Sequence, residues 1–236
     1  TLVIDRQEWS HERARLRVEG AVEALRDAGE PFTEEQVKKA YHACYRTHQS
    51  MQRQERDISF KDQVQMFVQG IADGLLERIS RDTFARILNR YADAFLELPP
   101  VLADGVPEML QTLKEQGYRI GLISNTGMTP GRLFRVYMED LDIIHFFEHV
   151  TFSDEILLAK PSPAIFLHTL ASMGCPTDKA VHVGDHLRND IAAAQQVGMG
   201  TIWLEGFDDS DMNVTPTATI RRIADLPEAL EKLRAI

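Results

Sequence analysis

Apolar side chains recur at three- and four-residue intervals through residues 12–98, the period of an amphipathic helix. Residues 12–28 are charged and rich in Ala and Leu, and they stop at Gly29, a residue favoured just past helix ends. Thr33 and Gln36 have capping-box spacing, and Val37, Ala40, Tyr41, Cys44 and Tyr45 follow on one helical face. Val64, Phe67, Val68, Ile71 and Leu75 make a third stripe. Ser80 precedes a fourth, Phe84, Ile87, Leu88, Tyr91 and Phe95, which Pro99-Pro100 brings to an end. Four such helices in succession predict a small bundle.

Beyond Pro100 the pattern alternates between helical stripes and short apolar runs. Helices are predicted at 107–116, from Thr129-Pro130 onward, from Ser162-Pro163 to Gly174, at 187–197 and at 226–234; strands at 118–124, 149–152, 180–183 and 200–204. Residues 208–219 read as the most loop-like stretch, and no repeat or low-complexity segment interrupts the pattern. Strands alternating with helices predict an α/β fold with a Rossmann-like, doubly wound parallel sheet, into which the helical bundle is inserted. In such sheets ligands bind beyond the carboxyl ends of the strands, so the polar residues there are the candidates for chemistry.

Composition narrows the class of protein. With 36 acidic against 26 basic residues the formal charge is −10, and no long Lys/Arg block is present, which argues against nucleic acid as a partner. Hydrophobic residues make up 44% of the chain, enough to build a core. No uninterrupted apolar run approaches the ~20 residues that span a bilayer, so no membrane partner is expected. Cys44 and Cys175 are far apart and lack zinc-site spacing, which fits a reducing, cytoplasmic compartment. The sequence begins Thr1-Leu2-Val3 without the pattern of a signal peptide.

Three strand ends carry polar clusters. Ser124-Asn125-Thr126-Gly127 offers hydroxyl, amide and backbone N–H groups suited to an oxyanion, or to capping a turn. Lys160 lies in Leu158-Ala159-Lys160-Pro161-Ser162-Pro163, hemmed by prolines just before a helix. Asp185 and Asp190, in Gly184-Asp185-His186-Leu187-Arg188-Asn189-Asp190, place one carboxylate at a strand end and one at a helix start. A hard oxygen site of that kind suits Mg²⁺, while a helix cap is the plainer role for Asp190.

In this order and spacing the clusters resemble motifs two, three and four of the haloacid dehalogenase superfamily. His145-Phe146-Phe147, Ser153-Asp154-Glu155 and Ala193-Ala194 with Gly198 are similar to the context of those motifs in the same family. The resemblance implies a core of residues 1–11 and 99–236 and a helical cap, of the family's first type, of residues 12–98. It implies hydrolysis of a phosphate monoester on a small phosphorylated metabolite through an aspartyl-phosphate, with Mg²⁺ as cofactor. Lys160 would stabilise the nucleophile and phosphoryl oxygens, Ser124 and the Asn125 backbone would bind phosphate, Asp185 would bind the metal, and Asp190 would orient Lys160 or a metal-bound water. A dehalogenase, a sugar-phosphate mutase or a catalytically inactive binding protein are alternatives on the same fold.

The family's first motif, Asp-x-Asp-Gly-Thr-Leu-Val, aligns its last three residues with Thr1-Leu2-Val3. The two aspartates, nucleophile and general acid/base, are therefore expected four and two positions before Thr1, on a central strand. Such a strand would bury about five apolar side chains at ~1.5–3 kcal/mol each, comparable to a domain's whole net stability of ~5–15 kcal/mol. Two departures stand out: Leu157, where the family often has Gly, and His186, where Ser is frequent. His186 is read as a turn cap. Arg46, His48 and Arg56, in the insert, are read as a solvated helix face.

Overall fold

The computed structural model describes residues 1–208 and 212–234. The chain enters through strand β1 (Val3–Ile4), forms five helices and returns through β2 (Val101–Leu102), which pairs antiparallel with β1. The helices are α1 (Gln7–Asp27), α2 (Glu34–Arg53), α3 (Phe60–Ile71), α4 (Leu75–Arg78) and α5 (Arg81–Glu97). Thr33 and Gln36 form the expected capping box on α2, and Ser59 and Ser80 cap α3 and α5 with their hydroxyls. Helix α1 begins at Gln7, earlier than its apolar pattern, with the Arg6 guanidinium lying 4.8 Å from the Trp9 ring. The third stripe is not one helix: Ala72 is extended and Gly74 left-handed, so Leu75 opens the separate α4.

Helix α1 packs along α5, and α2 along α3. Tyr91 is fully buried at the centre, with the rings of Phe67, Phe60 and Tyr41 at 5.5, 5.8 and 5.9 Å. Each such aromatic contributes ~1.5–3 kcal/mol by leaving water. The bundle rests on the rest of the protein through Phe95, which stacks against Phe134 at 4.6 Å and Tyr137 at 5.6 Å.

The second region runs α6 (Val106–Glu115), β3 (Gly121–Ser124), α7 (Gly131–Asp140), β4 (His149–Phe152), α8 (Ser153–Ile156), α9 (Pro163–Ser172) and β5 (Val181–Gly184). A π-helical turn (Leu187–Ala192) then leads into α10 (Ala193–Gln196), β6 (Gly200–Leu204), β7 (Ala218–Ile220) and α11 (Leu226–Arg234). Strand β7 lies at the end of the stretch read as a loop; residues 209–211 of that stretch fall outside the described residues, and 212–216 have no regular structure. The stretch 187–197 is helical but opens as a π-turn, and β3 is confined to the second half of 118–124.

The strands are parallel, as the alternation predicts, but they form two separate sheets, β3 with β4 and β5 with β6 and β7. The free edges of β3 and β5 line one cavity of about 1020 Å³, walled by Leu110, Phe134, Phe152, Leu170 and Leu226 from the covering layers and entered by Leu2 and Val3. Buried strands of a doubly wound sheet should be dry on both faces. Here Leu122, Ile123 and Val183 are only half-buried because the cavity runs beside them.

Candidate active site

Four loops converge at one end of that cavity, which Thr1, Ser124, Asn125, Lys160, His182, Asp185, His186 and Asp190 all line. Ser124 is the last residue of β3, and Asn125 follows it. The Asn125 amide does more than its backbone was expected to: its Nδ2 donates to the Lys160 carbonyl at 2.9 Å and its Oδ1 accepts the Lys160 N–H at 2.8 Å. The Lys160 backbone is thus fixed by the loop after β3, independently of its ammonium.

The ammonium donates to Asp190 Oδ1 at 2.6 Å, and both side chains are mostly buried. His182 Nε2 reaches the same oxygen at 3.0 Å, while the His186 backbone N–H donates to Oδ2 at 3.1 Å. Burial pushes the Asp190 carboxyl up, but Lys160 and His182 outweigh it and hold the group well below the usual carboxylate range. The Asp190 carboxylate thus pairs with Lys160 and also takes the His186 backbone N–H at the start of the following turn. His182 was not foreseen; its signal was a polar residue inside the apolar run Ala180-Val181-His182-Val183.

Asp185 sits just past β5 with its carboxylate about a third exposed. The Thr1 backbone nitrogen lies 2.9 Å from its Oδ1, and the Thr1 hydroxyl donates to the same atom. His186 caps the following turn, accepting the Asn189 N–H on Nδ1 at 3.4 Å, and lies 3.2 Å from Asp208. Ser124 Oγ has one long contact, 3.4 Å to the Asn125 carbonyl. Among the described residues no group of three His, Cys, Asp or Glu side chains is placed to hold a metal on its own.

A family model for haloacid dehalogenase-like hydrolases matches residues 32–204. The chain belongs to that family. Among curated haloacid dehalogenase-like relatives, it is 30% identical over 223 residues to a glyceraldehyde 3-phosphate phosphatase of Methanothermobacter thermautotrophicus, covering 92% of each protein. It is 32% identical over 145 residues to the protein of the same name from Methanopyrus kandleri, matching 59% of this chain and 60% of that one. In fold it is similar to the 2-haloacid dehalogenase of Pseudomonas syringae, with a TM-score of 0.63, 24% identity and 92% of each chain covered. No helix among the described residues is long and apolar enough to cross a membrane.

Of the insert residues read as solvated, Arg46 and Arg56 are exposed. His48 is not: it is buried against Asp57, with Nε2 and Oδ1 2.6 Å apart.

Proposed function

We propose that the protein is a Mg²⁺-dependent phosphate-monoester hydrolase acting on a small phosphorylated metabolite. The observation that carries this reading is the convergence of Ser124, Lys160 and Asp185 on one cavity, with the Lys160 ammonium fixed 2.6 Å from Asp190. A transferring phosphoryl group spreads negative charge over its oxygens, and pre-positioned positive charge and hydrogen-bond donors stabilise it most. Lys160 supplies that charge without reorganising, because Asn125 and Asp190 already hold its two ends. The long Ser124 contact is readily exchanged for a phosphoryl oxygen. The phosphatases among its relatives support the same reaction class.

Asp185 is the residue that would hold Mg²⁺. Its carboxylate, about a third exposed, opens on the cavity. One carboxylate with waters and substrate oxygens is an ordinary Mg²⁺ environment. When bound, the ion supplies neutralising charge at the phosphoryl oxygens.

In this reaction class an aspartate of the family's first motif attacks the phosphoryl group and becomes the aspartyl-phosphate. The test is hydrolysis of p-nitrophenyl phosphate by the full-length protein with and without Mg²⁺, alongside Asp185→Asn and Lys160→Ala. Mg²⁺-dependent turnover that drops at least ~100-fold in each variant is expected. Equal rates in all three would refute the assignment, and no turnover in any would favour a binding protein. A panel of phosphometabolites, glyceraldehyde 3-phosphate included, then defines the substrate.

A further inference from the structure

We infer that Asp57, contributed by the helical cap, is a positioning residue that holds the Lys160 loop and the Ser124–Thr126 loop in register. The inference rests on the hydrolase reading. Asp57 follows α2 in a turn that leaves the bundle and lies on the core, and its side chain is fully buried. Its backbone N–H donates to the Leu157 carbonyl at 3.0 Å, the Ala159 N–H donates to the Glu55 carbonyl at 3.3 Å, and Arg56 bridges Leu158 antiparallel. This short ladder ends one residue before Lys160.

The carboxylate works in the other direction. Ser153, fully buried, lies beside Asp57 and lowers its carboxyl, and the Ser153 Oγ accepts the Thr126 backbone N–H at 3.0 Å. Thr126 also donates its hydroxyl to Asp154 at 3.2 Å. One cap side chain therefore reaches, through a single serine, the loop that carries Ser124 and Asn125. On its cap side the carboxylate is held by His48 at 2.6 Å, Gln52 at 3.0 Å and the Ile58 N–H at 2.8 Å. Burial raises the Asp57 carboxyl, but His48, Ser153 and Gln52 bring it below its ordinary value, so it stays an ionised acceptor.

A buried carboxylate held by His48, Gln52, the Ile58 N–H and Ser153 is costly unless each partner is kept in place. The arrangement makes cap position and loop position one variable: displacing the turn at residues 54–58 pulls on both loops. Leu157 belongs to the same device. It sits at φ +60°, a left-handed conformation that a Leu adopts at some cost, and presents the carbonyl that Asp57 grips.

The experiment compares full-length wild type with Asp57→Asn and Ser153→Ala, by p-nitrophenyl phosphate kinetics and by amide hydrogen exchange. For Asp57→Asn, kcat falls roughly 10–100-fold with KM within about twofold, the signature of misplaced groups and not of lost binding. Exchange accelerates at Thr126, Ala159 and Lys160. Ser153→Ala, which leaves the backbone ladder intact, accelerates exchange at Thr126 alone and keeps the inference testable if Asp57→Asn unfolds. A folded Asp57→Asn with unchanged kcat, or with unchanged exchange at those amides, overturns the inference. Absence of turnover in wild type would sink the hydrolase reading while the exchange data still decide this one.

Discussion

The Lys160–Asp190 pair allows a test of site and stability together. Side-chain exposures of 14% and 5% put it in the regime where removing one partner strands a charge in a poorly solvated place. Such removals cost about 3–5 kcal/mol, whereas replacing both partners with uncharged groups is often near neutral. Lys160→Met leaves Asp190 with His182 and the His186 N–H, at 3.0 and 3.1 Å, so its cost belongs at the low end, about 3 kcal/mol. Asp190→Asn leaves the ammonium facing an amide and belongs nearer 4 kcal/mol, as an order of magnitude ~4. For a chain of this size these correspond to melting-point losses of roughly 6–16 °C. Urea unfolding followed by circular dichroism on both single variants and the double variant gives the coupling energy. Recovery of about 2 kcal/mol or more in the double variant is expected, with activity lost in all three. Strict additivity, or single variants within ~1 kcal/mol of wild type, would refute a structural ion pair at this site.

Other expectations are narrower. Asp190 and Asp57 both have folded values below their unfolded ones, so the stability they confer is fully present above about pH 4 and is lost as pH falls further toward their folded values. A urea midpoint measured from pH 7 to pH 2 should drop across that range, and Asp190→Asn should flatten the drop. Gly184→Ala should impair both activity and stability, because a Cβ there would lie 2.2 Å from the Asp190 Cβ and must push that residue away from Lys160. Unchanged kinetics in this variant would mean Asp190 can shift without consequence. Burial raises the Cys44 thiol to about 12, while Cys175 is only partly buried. One fast thiol per chain is therefore expected with a disulfide reagent at pH 8, and its loss in Cys175→Ser would identify it.

Much of this architecture could be read from local pattern, and the exceptions have physical causes. Strands β4 and β6 and helix α11 occupy the residues their apolar runs mark, since burial on a sheet or helix face dictates those runs directly. Strand β7 hides in Thr217-Ala218-Thr219-Ile220 because it pairs on one side only and needs little apolar surface. The π-turn at Leu187–Ala192 was invisible because helical periodicity does not distinguish one widened turn. Ser124, Lys160, Asp185 and Asp190 were identified from motif order, and the cavity brings all four together. The clamping amide of Asn125, the place of His182 beside Asp190 and the reach of Asp57 into the core all depend on residues distant in sequence, which no local pattern encodes.

The paired strands β1 and β2 have a consequence for how such proteins diversify. Val3 lies opposite Leu102 and Ile4 opposite Val101, so the chain leaves the core and returns to it at neighbouring points. Arg13 bridges the two crossings, binding the Asp5 carboxylate on one and donating to the Leu98 carbonyl at 2.7 Å on the other. Everything between them is an excursion whose ends are already joined, the condition under which one module can be exchanged for another without rethreading its host. Helices grafted at this doorway could alter which molecule is admitted while the lysine and carboxylates keep their places. The graft would have to bring its own equivalent of Asp57, and that requirement limits which excursions the host can accept.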